Sequence, residues 1–210
     1  MQAIVARTIA HSTLEELAEH SAIPVINALT DRFHPCQALA DFFTLEERFG
    51  GLRGLELAYV GDGNNMCNSL MLAAARLGVH MRVATPAAYR PDPEVVADAR
   101  SAARETRAKI ELFTDPAEAV HGARAVYTDV WVSMGYEHEE AERETAFTPY
   151  RVTESLMELA ARDALFMHCL PAHRGSEVTE GVIDSGRSVI YHQAENRLHV
   201  QNAILLTLLA

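Results

Sequence analysis

Leu55-Glu56-Leu57-Ala58-Tyr59-Val60 runs directly into Gly61-Asp62-Gly63-Asn64-Asn65, and an apolar pattern of helical spacing follows from Ser69 to Leu77. A short apolar run, a loop of turn-forming residues and an amphipathic segment read as strand, loop and helix. Downstream the alternation repeats: residues 81–84 read as strand, 93–106 as helix, 110–113 as strand and 116–120 as a short helix opened by Asp115. Residues 125–128 and 164–167 read as two further strands separated by a helix over 152–161. Upstream, residues 3–6 and 25–27 read as strands. Thr13 and Glu16 have capping-box spacing before a first helix, and an apolar helical stretch covers 38–43. The Gly50-Gly51-Leu52-Arg53-Gly54 break separates the two halves, and residues 195–210 form an apolar helix. Alternating β and α units predict an α/β fold, a parallel sheet with helices on both faces, whose ligands sit at the carboxyl ends of the strands.

Composition narrows the function classes. A chain of 210 residues with 49% hydrophobic and 22% charged residues can bury a core, which excludes disorder. No apolar run approaches the roughly 20 residues of a membrane helix. Eighteen Lys and Arg against 29 Asp and Glu leave a net charge of −11 with no segregated basic patch, so nucleic acid is not expected as a partner, nor is a membrane. Cys36, Cys67 and Cys169 include no Cys-x-x-Cys pair, which argues against a disulfide framework and a structural zinc site. With no signal peptide or lipidation motif, a cytoplasmic location is expected.

The residues just past three strands are polar: Gly61-Asp62-Gly63-Asn64-Asn65, Asp129-Val130-Trp131-Val132-Ser133-Met134-Gly135 and His168-Cys169-Leu170-Pro171. Their position predicts one shared crevice. Each is ambiguous alone. The first has the residues of an ordinary turn, and it is not a dinucleotide fingerprint, because Cys67 and Asn68 stand where the third glycine is sought. Asp129 also suits a turn or helix cap, Cys169 a buried small hydrophobe, His34 a loop and Trp131 plain packing.

Taken in order, these segments together with His34-Pro35-Cys36-Gln37, the continuation Ala172-His173-Arg174-Gly175 and Glu195-Asn196-Arg197-Leu198-His199 resemble the signature set of the ornithine carbamoyltransferase family. The resemblance covers essentially the whole chain, and Arg7 stands where that family places a carbamoyl-phosphate-binding arginine. It implies transfer of a carbamoyl group from carbamoyl phosphate to the δ-amine of L-ornithine, without metal or organic cofactor. By resemblance, Arg7, His34, Gln37, Cys169, Leu170 and Arg197 hold carbamoyl phosphate, with His34, Cys169 and Arg197 at the reacting group. Asn65, Asp129, Ser133 and Met134 hold ornithine. Residues 1–50 are then a remnant of a carbamoyl-phosphate-binding α/β domain, 51–194 a Rossmann-like ornithine-binding domain and 195–210 a helix returning to the first domain. A homotrimer is expected for the full-length form.

The chain departs from the family in one respect: it contains no Ser-Thr-Arg-Thr-Arg phosphate motif. By resemblance, roughly a hundred residues, about a domain's worth, are expected to be missing before Met1, and little activity is expected of the chain alone. Two other readings remain open: a non-catalytic ornithine-binding or assembly fragment, and a carbamoyltransferase for another amine such as N-acetylornithine or putrescine. A nucleotide-dependent oxidoreductase has little support without the glycine fingerprint.

Overall fold

The computed structural model describes residues 1–132 and 137–209. In the first half, β1 (Ile4–Arg7) and β2 (Val25–Leu29) pair in parallel across α1 (His11–His20). Helix α2 (Pro35–Phe49) follows, with Pro35 in its first turn, where its missing N–H is not needed, and Gly50 ending it at φ 73°.

The second half alternates β3 (Glu56–Val60), α3 (Asn65–Leu77), β4 (His80–Ala84), α4 (Pro93–Thr106), β5 (Ile110–Phe113), α5 (Pro116–Val120) and β6 (Ala125–Thr128). It continues with α6 (Glu140–Phe147), α7 (Glu154–Met157), β7 (Leu165–His168), α8 (Glu180–Ile183) and the long α9 (Ile190–Leu209). The five strands pair in parallel in the order β5-β4-β3-β6-β7. The chain winds outward from β3 to β5, then crosses to β6 on the other side of β3.

Strand alternation feeds two cores. Leu57, Tyr59, Met81, Val83, Tyr127 and Met167 pack with α2, α3 and α4, whereas Ala58, Val60, Ala84, Val126 and Phe166 pack with α5, Phe147, Val152 and α8. Both faces of the sheet are therefore covered, as buried parallel strands require. Helix α9 returns to α2, where Asn196 donates to Thr44 Oγ1 at 2.9 Å and to Glu47 Oε2 at 2.7 Å. No helix among the described residues is long and apolar enough to cross a membrane.

Four local expectations are corrected. Helix α1 begins at His11 after Ala10, with no side-chain cap, so Thr13 and Glu16 lie inside it and form no capping box. Helix α3 begins at Asn65 rather than Ser69, because Asn64 Oδ1 accepts from Met66 N and Cys67 N and opens the helix inside the presumed loop. Residues 152–161 hold a single helical turn, α7, and the longer helix lies earlier as α6. Its Glu-Ala-Glu-Arg-Glu-Thr sequence carries too few apolar residues to show helical periodicity; only Arg143 and Phe147 are buried. Helix α9 begins at Ile190, earlier than residue 195.

Gly63 is required by close approach rather than by a turn. A Cβ there would lie 2.2 Å from Pro91 N and 2.4 Å from Arg90 C, both backbone atoms. Gly63→Ala is expected to destabilise the chain by about 1–3 kcal/mol or more, as overpacking against an unyielding neighbour does; Gly51→Ala, where a Cβ meets nothing within 4 Å, serves as the control. Urea denaturation of the two variants checks this.

Candidate active site

The strand order reverses between β3 and β6, so the loops leaving those strands part and open a crevice at the carboxyl edge of the sheet. Asn64, after β3, donates through Nδ2 to Asp129 Oδ2 at 2.8 Å, while its Oδ1 caps α3. Asp129, after β6, accepts at Oδ1 from Val130 N at 2.8 Å and from Cys169 Sγ at 3.0 Å. Cys169 follows β7. One buried carboxylate thus joins the ends of three strands. Asn65 turns instead toward the first half, donating to Thr30 O at 2.6 Å.

The first half meets this edge at the start of α2. His34 N donates to Ser69 Oγ at 2.7 Å, which seats the helix terminus on α3. The His34 ring is buried, and its Nδ1 has no hydrogen-bond partner among the described residues. Burial first, then the charges of Arg197 and Arg7, push its pKa down to about 4, with Asp129 pulling weakly the other way. Arg7, Arg197, His34 and Asp129 therefore share one electrostatic environment. Gln37, also buried, donates through Nε2 to Asp41 Oδ1 at 2.8 Å, and its Oε1 is left without a partner.

At the β7 edge, His168 Nδ1 accepts from Leu170 N at 2.9 Å, so the ring proton sits on Nε2, facing Glu177 Oε1 at 3.2 Å. This fixes the Cys169-Leu170 corner, where Leu170 adopts φ 58°. Burial works to raise the pKa of Glu177, yet hydrogen bonds from His168 and from His173 N bring it below the usual range. Burial and the adjacent Asp129 raise the Cys169 thiol well above its ordinary value, so it is a neutral donor rather than a nucleophile.

Asp129, His168 and Cys169 each bring one potential ligand atom within 4.8 Å of the others. The set does not fit a metal ion as it stands: both His168 nitrogens are engaged and the thiol proton is committed to Asp129. Two surface hollows lie elsewhere. One of about 410 Å³ is bordered by Thr148, Arg151 and Leu159, and one of about 400 Å³ by Leu39, Val200 and Leu208.

Of the residues singled out in the sequence, Asp129 and Cys169 are bonded to each other at this edge, with Leu170 next in the corner; His34 is within electrostatic reach of Asp129, Arg7 and Arg197; Gln37 is bonded to Asp41; and Asn65 bridges to the first half. Ser133 and Met134 lie outside the described residues. The sequence reading missed Asn64, Asp41, Glu177 and Arg143. Arg143 binds Asp62 Oδ2 at 2.7 Å, Trp131 O at 3.0 Å and Glu139 Oε2 at 2.8 Å, fastening the loop after β3 to the one after β6. Burial raises Asp62 to about 6 against the opposing pull of Arg143. Asn64 had a legible signal, an N-cap residue before an apolar helical pattern. Asp41, a carboxylate inside the apolar stretch 38–43, had another.

Fold and crevice define a doubly wound α/β protein with a polar ligand site at the switch point. Comparison with known proteins makes the class particular. Residues 53–208 match the aspartate/ornithine carbamoyltransferase Asp/Orn binding domain, and residues 1–47 match the carbamoyl-P binding domain of the same family. The ornithine carbamoyltransferase of Anoxybacillus flavithermus is 56% identical over 209 residues, a match covering all of this chain and 67% of that protein. That of Oceanobacillus iheyensis is 54% identical, with 65% of its length covered. The solved ornithine carbamoyltransferase of Pyrococcus furiosus superposes with a TM-score of 0.96 at 50% identity, covering all of this chain and 67% of that one. The chain belongs to the aspartate/ornithine carbamoyltransferase family, and within it to the ornithine carbamoyltransferases. It spans about two thirds of the length of these relatives.

The depressed pKa of His34 has a measurable consequence. Its folded value of about 4 lies below the ordinary 6.5, so the unfolded chain takes up the proton first; the stability that neutral His34 contributes is present above pH 6.5 and is lost as pH falls toward 4. Proton NMR of the His34 ring is expected to show a midpoint near 4. A midpoint near 6.5 would show that neither burial nor the charges of Arg7 and Arg197 act on the ring.

Proposed function

We propose that this chain carries the site for transfer of the carbamoyl group from carbamoyl phosphate to the δ-amine of L-ornithine, giving L-citrulline and phosphate. The amine nitrogen bonds to the carbamoyl carbon, the carbon–oxygen bond to phosphate breaks, and the proton released by the nitrogen leaves with the phosphate. The observation that carries this reading is that two buried polar atoms on one helix, His34 Nδ1 and Gln37 Oε1, have no partner among the described residues, while His34 feels both the charges of Arg7 and Arg197 and that of the Asp129 carboxylate. A carbamoyl group brings both a hydrogen-bond acceptor and donors, its phosphate calls for cations, and the substrate amino acid brings an ammonium for the carboxylate.

In this reading Arg7 and Arg197 attract the phosphate end. His34, neutral at physiological pH, keeps an N–H to direct at the carbonyl oxygen as charge develops on it. Cys169 and Leu170 line the junction where the amine meets the carbamoyl carbon, and much of the acceleration comes from that positioning. Asn65, Asp129, Ser133 and Met134 take the α-amino and α-carboxylate ends of ornithine. The resemblance leads us to propose a homotrimer as the assembly.

One observation favours a second reading, ornithine binding without turnover: the 210 residues hold no Ser-Thr-Arg-Thr-Arg phosphate motif. Citrulline formation by the purified chain separates the two.

Asp129→Asn removes the charge at nearly constant volume. It is expected to weaken ornithine by roughly ten- to a hundredfold, the loss of a charge-assisted contact of about 1.5–3 kcal/mol, while carbamoyl phosphate affinity changes little. Calorimetric titration with each ligand checks this; equal losses for both would remove Asp129 from the ornithine site.

A further inference from the structure

Behind the crevice, a second buried carboxylate gathers donors from three elements. Asp41 Oδ1 accepts from Gln37 Nε2 at 2.8 Å and from Gln193 Nε2 at 3.0 Å, and its Oδ2 accepts from Tyr127 OH at 2.9 Å. Asp41, Gln37 and Gln193 are each 1% exposed. The donors belong to α2, α9 and β6, and Gln193 Oε1 in turn accepts from His168 N at 3.1 Å. Asp41 is bonded to none of the described groups assigned to ornithine, yet it is bonded to Gln37 and connects to the Cys169 corner through two residues, Gln193 and His168.

Burial pushes the Asp41 pKa up to about 6, against its three donors and the charge of Arg197. Two carboxamides converge on Oδ1 and a hydroxyl on Oδ2, and a carboxylate oxygen met in this way accepts, so the Gln37 group that faces it is the –NH2. This sets which way round the Gln37 carboxamide stands. Its oxygen is the group left over, buried and without a partner. A buried carbonyl oxygen in this state is costly unless something supplies an N–H or O–H. His34, three residues earlier at the head of the same helix, carries the second unpartnered atom.

We propose that Asp41 is a positioning residue that holds the Gln37 carboxamide with its oxygen presented to the ligand, so that the crevice tells a carbamoyl group from other acyl groups by its N–H. The proposal rests on the carbamoyl-transfer reading above. Without Asp41 the carboxamide is free to turn, and the oxygen is presented only part of the time. An asparagine at position 41 preserves the arrangement: its oxygen can face the two glutamines while its –NH2 faces Tyr127, whose hydroxyl accepts as readily as it donates.

The test compares binding of carbamoyl phosphate with acetyl phosphate, in which a methyl group replaces the amino group, to the 210-residue chain. The unsubstituted chain is expected to favour carbamoyl phosphate by about tenfold, the size of one hydrogen bond that would otherwise go unmade. Asp41→Ala is expected to bring the ratio close to one by weakening carbamoyl phosphate alone. Asp41→Asn should restore it, and Tyr127→Phe, which leaves the Gln37 bond intact, should keep it. Gln37→Ala should lose the preference, and adding Asp41→Ala to it should cost nothing more. Equal weakening of both ligands by Asp41→Ala, additive losses in the double variant, or the same loss in Tyr127→Phe would overturn the proposal.

A measurement without ligand keeps the two readings apart. Exchange of the Gln37 side-chain amide protons is expected to be at least about tenfold slower than that of exposed Gln2 in the unsubstituted chain, a variant-free result that stands even if Asp41→Ala does not fold. Rapid Gln37 exchange in that chain would overturn the Asp41 lock. Slow exchange together with no binding of either phosphate would support the lock and count against the carbamoyl-transfer reading.

Discussion

The Asp129 carboxylate is the tie on which the arrangement of the crevice depends. It sits where the sheet order reverses and is bonded from β3 through Asn64, from its own strand end through Val130 and from β7 through Cys169. A parallel sheet sets strand ends at one edge but leaves their loops free to diverge. A buried carboxylate converts that edge into a fixed constellation, because each of its lone pairs must be met by a donor or stay wet. The donors met here are a side-chain amide, a backbone amide and a thiol, all neutral.

The fold was legible because hydrophobic alternation and the polar strand ends agree with each other. Leu57 to Val60 and Ala125 to Thr128 are nearly continuous apolar runs, the mark of strands buried on both faces. The failures were local. Asn64 and Asn65 looked alike as turn residues, and only three-dimensional placement separates the cap that reaches Asp129 from the neighbour that reaches Thr30. Helix α6 is held by Arg143 and Phe147 rather than by an apolar stripe, so its periodicity was hidden. The role of Asp41 was missed because two of its partners lie far off in sequence: Tyr127 and Gln193 meet it across 86 and 152 positions.

Two buried polar systems among the described residues are linked. Asp129 organises the mouth of the crevice, and Asp41 organises its floor, with Gln193 and His168 as the connection between them. A satisfied buried network is demanding on geometry, since removing one member leaves another donor or acceptor unpaired. That demand fixes α2, β6, β7 and α9 relative to one another with greater directional precision than the apolar contacts between α2 and α3, which tolerate small shifts of shape.

The electrostatics of the crevice follow from this framework. His34 is surrounded by burial and by two guanidinium charges, so the ring stays neutral where an exposed histidine would be partly charged at mildly acidic pH. A neutral imidazole within electrostatic reach of two arginines separates two properties: the arginines carry charge, and the ring carries an uncharged nitrogen, Nδ1, without a hydrogen-bond partner among the described residues. Asp129 acts on His34 in the opposite sense and is held by its own donors. Opposite charges held on separate elements, Arg7 on β1, Arg197 on α9 and Asp129 just after β6, therefore act on one buried ring, and the framework that fixes those elements is what keeps the balance at His34 on the neutral side.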